Sequence, residues 1–227
     1  MVETSSPGSV DLLVLAAYAP ELSAMRRILG DHLYGNISGV VVACKAVGVG
    51  LPNATAGAVT RLMQLRPRAV VAVGTGGVYP GTALSLDEVV VGRRVHLVDP
   101  MEVEQRGLMP DPMSRTLDCS QMIALGLAQG RVATADIATT LVHAVDDNLA
   151  ARVGQSTGCA IESLECFGIA NACALQNVPF ACVIGAAYQV GAAGRDQWRS
   201  HHKPAAQAAC EVVNRWLSTG AMGLPHG

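Results

Sequence analysis

Largely apolar runs of strand length recur along the chain. The runs predicted as strands are 12–17, 40–47, 69–73, 89–95, 132–135 and 180–187. The first and third are apolar throughout and the second is broken only by Lys45, a pattern typical of strands buried on both faces of a largely parallel sheet. Proline and glycine mark the ends of the helical patterns, and we predict helices at 20–29 and 52–65. A closing helix is predicted from an apolar stripe at Ala205, Ala209, Val212 and Trp216.

The alternation of strands and helices predicts a single α/β domain over residues 10–227. We expect a three-layer αβα sandwich with a mixed, mostly parallel central sheet. Residues 1–9 are predicted to be a disordered leader. The segment 100–118 is rich in Met, Pro, Asp and Arg. It is predicted to be a long loop, a kind of segment that is often functional or an oligomer contact.

One short stretch, 161–170, combines ionisable groups with burial. It places Glu162 and Glu165 three residues apart in an apolar run that indicates a strand end passing into a buried helix. Residues three apart on a helix share a face. A buried carboxylate is costly unless its charge or lone pairs are used. The pair is therefore either a functional site or two acids that cap a helix N-terminus.

Composition and charge narrow the class of protein. Half of the 227 residues are hydrophobic and only 15% are charged. That balance favours a sheet covered on both faces and burial of surface in a homo-oligomer, a dimer or larger. The formal net charge is -2 without a basic patch, so nucleic acid is not expected as a partner. The apolar run 12–20 is far too short to span a bilayer, and no membrane partner is expected.

The seven cysteines lie mostly in apolar runs, and no two form a CxxC pair. Their odd number and their surroundings predict small buried hydrophobic residues in a reduced compartment, the cytoplasm, rather than disulfides or metal ligands. No partner is visible in the sequence for His143. Trp198 is predicted to be a packing residue.

Candidate binding residues follow the predicted strands, because ligands of open α/β sheets bind beyond the carboxyl ends of the strands. These segments are 18–21, 48–50, 74–77, 162–165 and 188–191. Their glycines let a ligand approach the backbone and its amide donors. No GxGxxG follows the first strand and no GxxxxGK[ST] occurs anywhere, so a dinucleotide or nucleoside triphosphate site is not expected.

The same segments, in the same order, resemble the nucleoside phosphorylase and nucleosidase superfamily over nearly the whole chain. The pattern is most similar to the futalosine hydrolases, and next to the methylthioadenosine/S-adenosylhomocysteine nucleosidases. The matching motifs are the first strand end at 15–21, the GxG turn at 48–50, the G[ST]xGG turn at 73–77, an ExMEG-like signature at 162–165, and the strand end 190–191 with the RD-containing segment 194–198. The resemblance implies hydrolysis of the N-glycosidic bond of a purine nucleoside without a metal or other cofactor. For a futalosine hydrolase this step releases hypoxanthine in menaquinone biosynthesis.

The resemblance also implies roles for the matching residues. Glu21 would position and deprotonate the attacking water, and Glu165 would accept hydrogen bonds from the ribose hydroxyls. A carboxylate beside the sugar stabilises an oxocarbenium-like transition state, and burial raises a glutamate pKa toward that of a general base. The resemblance further implies that Thr75 lies near the anomeric carbon or the water, and that the segment 136–140, with Asp136 and Ile137, contacts the base through its backbone. Gly76 is a further predicted substrate-binding residue, and Glu162 is either structural or a second ribose contact.

The end of the last strand departs from the family pattern, which places Asp or Asn there to hydrogen-bond N7 of the leaving purine. Tyr188 occupies this position, with Gln189 beside it. Either one of these two side chains serves N7, with Tyr188 as the predicted catalytic residue, or the nucleoside differs, or the chain binds nucleosides without turnover. Arg195 either pairs with Asp196 at the surface or binds an acidic tail of the substrate. The first and third strand ends lack the arginines with which a phosphorylase holds phosphate, which favours hydrolysis.

Overall fold

The computed structural model describes residues 10–130 and 132–226; the predicted leader, 1–9, lies outside the described residues. The strands are β1 (Leu12–Ala16), β2 (Tyr34–Ile37), β3 (Val40–Ala46), β4 (Ala69–Val78), β5 (Val89–Leu97), β6 (Thr116–Asp118), β7 (Ala133–Thr139), β8 (Ile161–Glu162) and β9 (Phe180–Gln189). The helices are α1 (Ser23–Leu29), α2 (Leu51–Leu65), α3 (Pro100–Val103), α4 (Gln121–Leu127), α5 (Asp147–Thr157), α6 (Cys166–Leu175) and α7 (Gly194–Ser218). A short 3-10 helix, Ala19–Leu22, connects β1 to α1.

The nine strands form one mixed sheet. Its path runs β2-β3-β1-β4-β8-β7-β5-β6, and β9 pairs with both β4 and β5. Five of the strand pairs formed by the described residues are parallel: β1 with β3, β1 with β4, β4 with β9, β5 with β7, and β7 with β8. The carboxyl ends of β1, β4 and β9 therefore meet at one edge of the sheet.

Helices cover both faces of the sheet, as the side chains of β1 illustrate. Leu13 and Leu15 belong to a buried cluster that includes Leu62 of α2 and Phe167 of α6. Their neighbours Leu12 and Val14 point the other way, into a second cluster with residues of α1, α4 and α7. A strand whose successive residues are buried on opposite sides is covered on both faces. The predicted three-layer αβα sandwich with a mixed sheet is confirmed.

Strand β4 is longer than predicted. It runs to Val78 rather than ending at Val73, so the glycine-rich segment 74–77 lies within a strand and is not a turn after it. This segment pairs in register with β9, Gly74 with Ile184 and Thr75 with Gly185. Backbone pairing along β9 decides the conformation here, against the low strand propensity of glycine.

Other elements differ from the sequence prediction in detail. The predicted helix 20–29 is divided into the 3-10 helix and α1, and β7 continues past residue 135 to Thr139. The segment 100–118, predicted as a loop, contains α3 and the edge strand β6. Within the described residues, no helix has both the length and the apolar character that crossing a membrane requires.

Candidate active site

A cavity of about 240 Å³ opens at the edge of the sheet where β1, β4 and β9 end. Its walls combine acidic, hydroxyl, aromatic and apolar side chains. The lining residues are Ala17, Tyr18, Glu21, Val49, Thr75, His143, Leu164, Glu165, Tyr188 and Trp198. Ligands of α/β sheets bind at such edges, and this cavity is therefore the candidate active site.

Glu21 enters the cavity from the 3-10 helix that follows β1. Its Oε2 accepts a hydrogen bond from the backbone N–H of Tyr18 at 3.1 Å, and its Oε1 accepts from the backbone N–H and the hydroxyl of Thr75 at 3.1 and 3.3 Å. Burial, together with the nearby charge of Glu165, outweighs these hydrogen bonds and raises the pKa of Glu21 from 4.5 to about 7. A carboxylate that gains a proton near neutral pH is suited to general-base catalysis.

Glu165 lies at the start of α6, between the end of β8 and the helix. Its Oε1 accepts a hydrogen bond from the backbone N–H of Gly50 at 2.9 Å, and its Oε2 accepts from the Ser163 hydroxyl at 3.3 Å. Gly50 has a φ of 84°, a left-handed conformation that glycine adopts without strain. Burial raises the pKa of Glu165 despite these two donors. The turn after β3 thus fixes the second carboxylate of the cavity.

Glu162 lies behind the cavity wall and is fully buried. Its Oε2 accepts a hydrogen bond from the Tyr79 hydroxyl at 3.1 Å, and its Oε1 accepts from the Tyr188 hydroxyl at 3.1 Å. Nδ1 of His143 lies 2.8 Å from the same Oε1. The two tyrosine hydroxyls donate to this buried carboxylate and the His143 ring lies against it, which compensates for its loss of water. Glu162 is therefore the centre of a hydrogen-bonded cluster with Tyr79, His143 and Tyr188.

Tyr188, near the end of β9, is buried and forms part of the cavity wall. The Tyr188 ring lies against the backbone of Gly77 and Gly194. A Cβ at either position would crowd the ring. Burial, with the neighbouring charge of Glu162, raises the pKa of the phenol well above its ordinary value. The hydroxyl is therefore neutral, and its proton is directed to Glu162.

Trp198 of α7 is also part of the cavity wall. Its indole Nε1 donates a hydrogen bond to the Thr75 hydroxyl at 3.2 Å, and its ring stacks on His202 with the ring centroids 4.4 Å apart. The sequence predicted Trp198 to be a packing residue and did not indicate that it lines the cavity. The Thr75 hydroxyl is left to donate to Glu21 while it accepts from Trp198, so the tryptophan orients the threonine.

The structure brings together several of the residues that the sequence singled out. Glu21, Thr75, Glu165 and Tyr188 line one cavity. Gly76 lies just behind it, and a Cβ there would meet the backbone of Glu162. Glu162 and Glu165 do not share a helix face as expected, because Glu162 ends β8 and only Glu165 lies at the start of α6.

Asp136 and Ile137 lie apart from this cavity, in the interior of β7. Asp136 is paired with Arg94 at 2.6 Å and lies 3.1 Å from Arg93. Burial raises its pKa, but the hydrogen bond from Arg94 and the charge of Arg93 outweigh that effect and leave the pKa lowered. Asp136 lines a separate cavity of about 520 Å³, and Ile137 is part of the core. Neither residue lines the candidate active site, because β7 extends four residues further than predicted. That the segment 136–140 contacts the base through its backbone stays a prediction.

Gln189 and Arg195 are both exposed and, among the described residues, are not part of the cavity wall. The backbone N–H of Gln189 donates to the Gln197 side chain at 2.8 Å. Arg195 lies in the first turn of α7, three residues before Trp198. Asp196 pairs instead with Arg199, at 3.1 Å, which removes the expected Arg195–Asp196 pair.

His143 is a further cavity residue that the sequence analysis did not select. It follows β7 in the segment 140–146 and lines the cavity. The rule that ligand-binding residues follow strand ends would have selected it, had the end of β7 been placed at Thr139. Its partner Glu162 is 19 positions away and Tyr188 is 45 positions away, so no local pattern reveals the cluster.

The cysteines of the chain are buried thiols. All seven cysteines are free and buried, and burial raises the pKa of Cys173, for example, to about 12. A thiol with such a pKa is not a nucleophile at neutral pH. Over residues 10–130 and 132–226, no cluster of three or more His, Cys, Asp or Glu side chains could hold a metal ion.

Similar folds occur among solved structures. A 5'-methylthioadenosine/S-adenosylhomocysteine nucleosidase from Neisseria meningitidis matches with a TM-score of 0.81 and 15% identity over 92% of this chain and 99% of that one. The corresponding nucleosidase from Colwellia psychrerythraea, in complex with adenine, matches with a TM-score of 0.82 and 18% identity over 95% and 96%. A futalosine hydrolase mutant of Helicobacter pylori matches with a TM-score of 0.79 and 12% identity over 92% and 99%.

This chain has the nucleosidase fold. Both groups that the sequence resembles occur among the solved structures with this fold. No protein-family model and no curated protein sequence matches the chain. The identities of 11–18% to nucleosidase-fold structures establish the architecture alone. The chemistry of this chain depends on the residues of its own cavity.

Proposed function

We propose that this protein hydrolyses the N-glycosidic bond of a purine nucleoside. The observation that carries the proposal is the pair of carboxylates, Glu21 and Glu165, that face one small cavity at the carboxyl edge of the sheet. Burial raises the pKa of both. Two acids with perturbed pKa values in a cleft are typical of a catalytic site, and the nucleosidase fold supports the choice of nucleosides.

Glu21 acts as the general base in this proposal. Its pKa of about 7 allows it to accept a proton from water near neutral pH and to release it to solvent afterwards. The Thr75 hydroxyl and backbone N–H hold its Oε1 in place, and Tyr18 holds Oε2. The attacking water binds between this carboxylate and the anomeric carbon.

Glu165 holds the ribose. Each of its oxygens has one protein donor, Gly50 or Ser163, and an ionised carboxylate accepts more than one hydrogen bond per oxygen. The remaining lone pairs accept from the ribose hydroxyls. As positive charge develops on the sugar, the attraction to this carboxylate strengthens, which lowers the barrier for breaking the bond.

Hydrolysis is favoured over phosphorolysis by the charge of the cavity. Among the lining residues that the structure describes, none is an arginine or a lysine, while Glu21 and Glu165 are both acidic. A phosphate dianion beside two carboxylates without cationic partners is strongly disfavoured. Water, which carries no charge, is the nucleophile that this site accepts.

Futalosine is the finer candidate for the substrate, as the sequence resemblance suggests, and its cleavage would place the protein in menaquinone biosynthesis. Arg195 supports this candidate, since it is exposed on the first turn of α7 beside Trp198 of the cavity wall. A guanidinium there pairs with a carboxylate on the 5' side of the substrate.

The proposal is tested by base release from a panel of nucleosides. Adenosine, inosine, methylthioadenosine, S-adenosylhomocysteine and futalosine are each incubated with the protein, with and without phosphate, and the free base is separated by chromatography. We expect release that does not depend on phosphate and that falls at least about a hundredfold in Glu165→Gln. Binding of a nucleoside without release of base from any of them would instead identify a nucleoside-binding protein, and the proposed hydrolysis would be wrong.

A further inference from the structure

His143 is held at the cavity in an orientation that leaves one ring nitrogen to the ligand. Its Nδ1 lies 2.8 Å from Glu162 Oε1 and 2.7 Å from the Tyr188 hydroxyl. Its Nε2 makes no hydrogen bond within the described residues. The imidazole ring meets the Tyr188 ring edge-on, with the centroids 5.2 Å apart and an angle of 85° between the planes. His143 is about half exposed, whereas Glu162 is fully buried.

The hydrogen bonds of this cluster assign its protons. A buried carboxylate only accepts, and the two tyrosine hydroxyls donate to Glu162. Nδ1 of His143, which faces the same carboxylate, therefore carries a hydrogen and donates it. A histidine whose Nδ1–H is bonded to a carboxylate presents Nε2 to its surroundings, and it donates from Nε2 when both ring nitrogens carry a proton.

Tyr188 is unsuited to the role of proton donor that the sequence suggested for it. Its hydroxyl proton is bonded to Glu162, and the pKa of the phenol is raised well above its ordinary value by burial and by the charge of Glu162. Release of that proton would place a phenolate beside a buried carboxylate. His143 lines the same cavity, and among the described residues its Nε2 makes no hydrogen bond.

We propose that His143 is the general acid that protonates the leaving purine, and that Glu162 and Tyr188 are positioning residues that hold its ring. The proposal rests on the proposed hydrolysis. As the C1'–N9 bond breaks, its electron pair passes to the purine, which takes the proton from His143 Nε2. Water forms the new bond to C1' and its proton passes to Glu21. Solvent then removes the proton from Glu21 and returns one to His143, which completes the balance.

The test compares a substrate whose leaving group needs a proton with substrates whose leaving groups need none. Inosine, or whichever purine nucleoside the wild type cleaves, represents the first kind. The second kind is represented by 4-nitrophenyl β-D-riboside and by 7-methylguanosine, whose base leaves uncharged without protonation. His143→Gln removes the acid and keeps a polar side chain of similar length. His32→Gln, at an exposed histidine between α1 and β2, is the matched control.

We expect kcat for the purine nucleoside to fall by about a hundredfold or more in His143→Gln, the range for loss of a general acid. The same variant should cleave the two activated ribosides within about threefold of the wild type. Glu162→Gln should show the same selectivity with a smaller loss, since it misorients the acid without removing it. His32→Gln should match the wild type on every substrate.

Two groups of results would overturn the proposal, and they are distinguishable. If the wild type releases no base from any nucleoside, the proposed hydrolysis fails and the role of His143 fails with it. If the wild type cleaves nucleosides but His143→Gln is unaffected, or loses activity equally on all substrates, the hydrolysis stands and His143 is not the acid.

Discussion

Replacing Glu21 with glutamine tests whether burial raises the pKa of this carboxyl group, and the test needs no substrate. Burial raises the pKa of Glu21 from 4.5 to about 7, so the folded state binds this proton more tightly than the unfolded chain does. Below pH 4.5, Glu21 is protonated in both the folded and the unfolded state, and its burial does not lower the stability of the wild type. As the pH rises from 4.5 through 7, the unfolded chain ionises first, and the folded state is progressively destabilised. Glutamine does not ionise and escapes this loss.

The size of the effect follows from the shift. At about 1.4 kcal/mol per pKa unit, the rise from 4.5 to about 7 corresponds to about 3 kcal/mol. The glutamine variant has a cost of its own, because its amide NH₂ meets the backbone N–H donor of Tyr18 or Thr75. That cost does not depend on pH and cancels when two pH values are compared.

The assay is unfolding in urea at pH 4.5 and at pH 8. We expect the stability of Glu21→Gln, relative to the wild type, to increase by about 3 kcal/mol between the two pH values, or by about 6–12 °C in thermal melting. Glu211→Gln, at an exposed glutamate of α7, controls for the loss of one negative charge and should track the wild type. A difference for Glu21→Gln that stays constant between the two pH values would refute the raised pKa and, with it, the assignment of Glu21 as a base.

Three further predictions concern the same site. Glu165→Gln should keep the fold but reduce kcat/KM by about a hundredfold or more, close to 3 kcal/mol of transition-state stabilisation; steady-state kinetics that match the wild type would remove Glu165 from the site. With 7-methylguanosine or 4-nitrophenyl β-D-riboside, whose leaving groups need no proton, kcat/KM should rise from pH 5 to pH 8 with a midpoint near 7, because Glu21 must be ionised to accept a proton, and a profile that is flat over this range would contradict the proposed base. Gly77→Ala should shift the Tyr188 ring, which a Cβ at residue 77 would crowd, and should destabilise the fold by about 1–3 kcal/mol in urea unfolding, whereas Gly35→Ala, where the added Cβ meets only the far end of the Leu29 side chain, should cost less.

The layers of the fold and the location of the site follow from local sequence pattern. Apolar runs such as 12–17 and 180–187 have no polar face, so they can only be buried in the middle of a sheet covered on both sides. The rule that ligands bind beyond the carboxyl ends of strands then selects Glu21 and Glu165. Both line the same cavity, although 144 positions separate them along the chain.

Tertiary pairing decided the elements whose own sequence is ambiguous. The glycine-rich end of β4 has the composition of a turn, yet it continues as a strand because β9 pairs with it from Val70 to Val78. The end of β7 is likewise extended to Thr139 by its partners β5 and β8. Hydrogen bonds from distant segments outweigh local propensity at such positions.

The cluster around Glu162 is a product of the tertiary structure alone. Tyr79, His143, Glu162 and Tyr188 come from four separate segments and meet through side chains. The sequence by itself determined that Glu162 is an acid in an apolar run, which demands partners for its charge. The convergence of the strand ends decides which side chains reach Glu162 and places a histidine of the cavity wall among them. The spacing of these residues along the chain does not reveal that they meet.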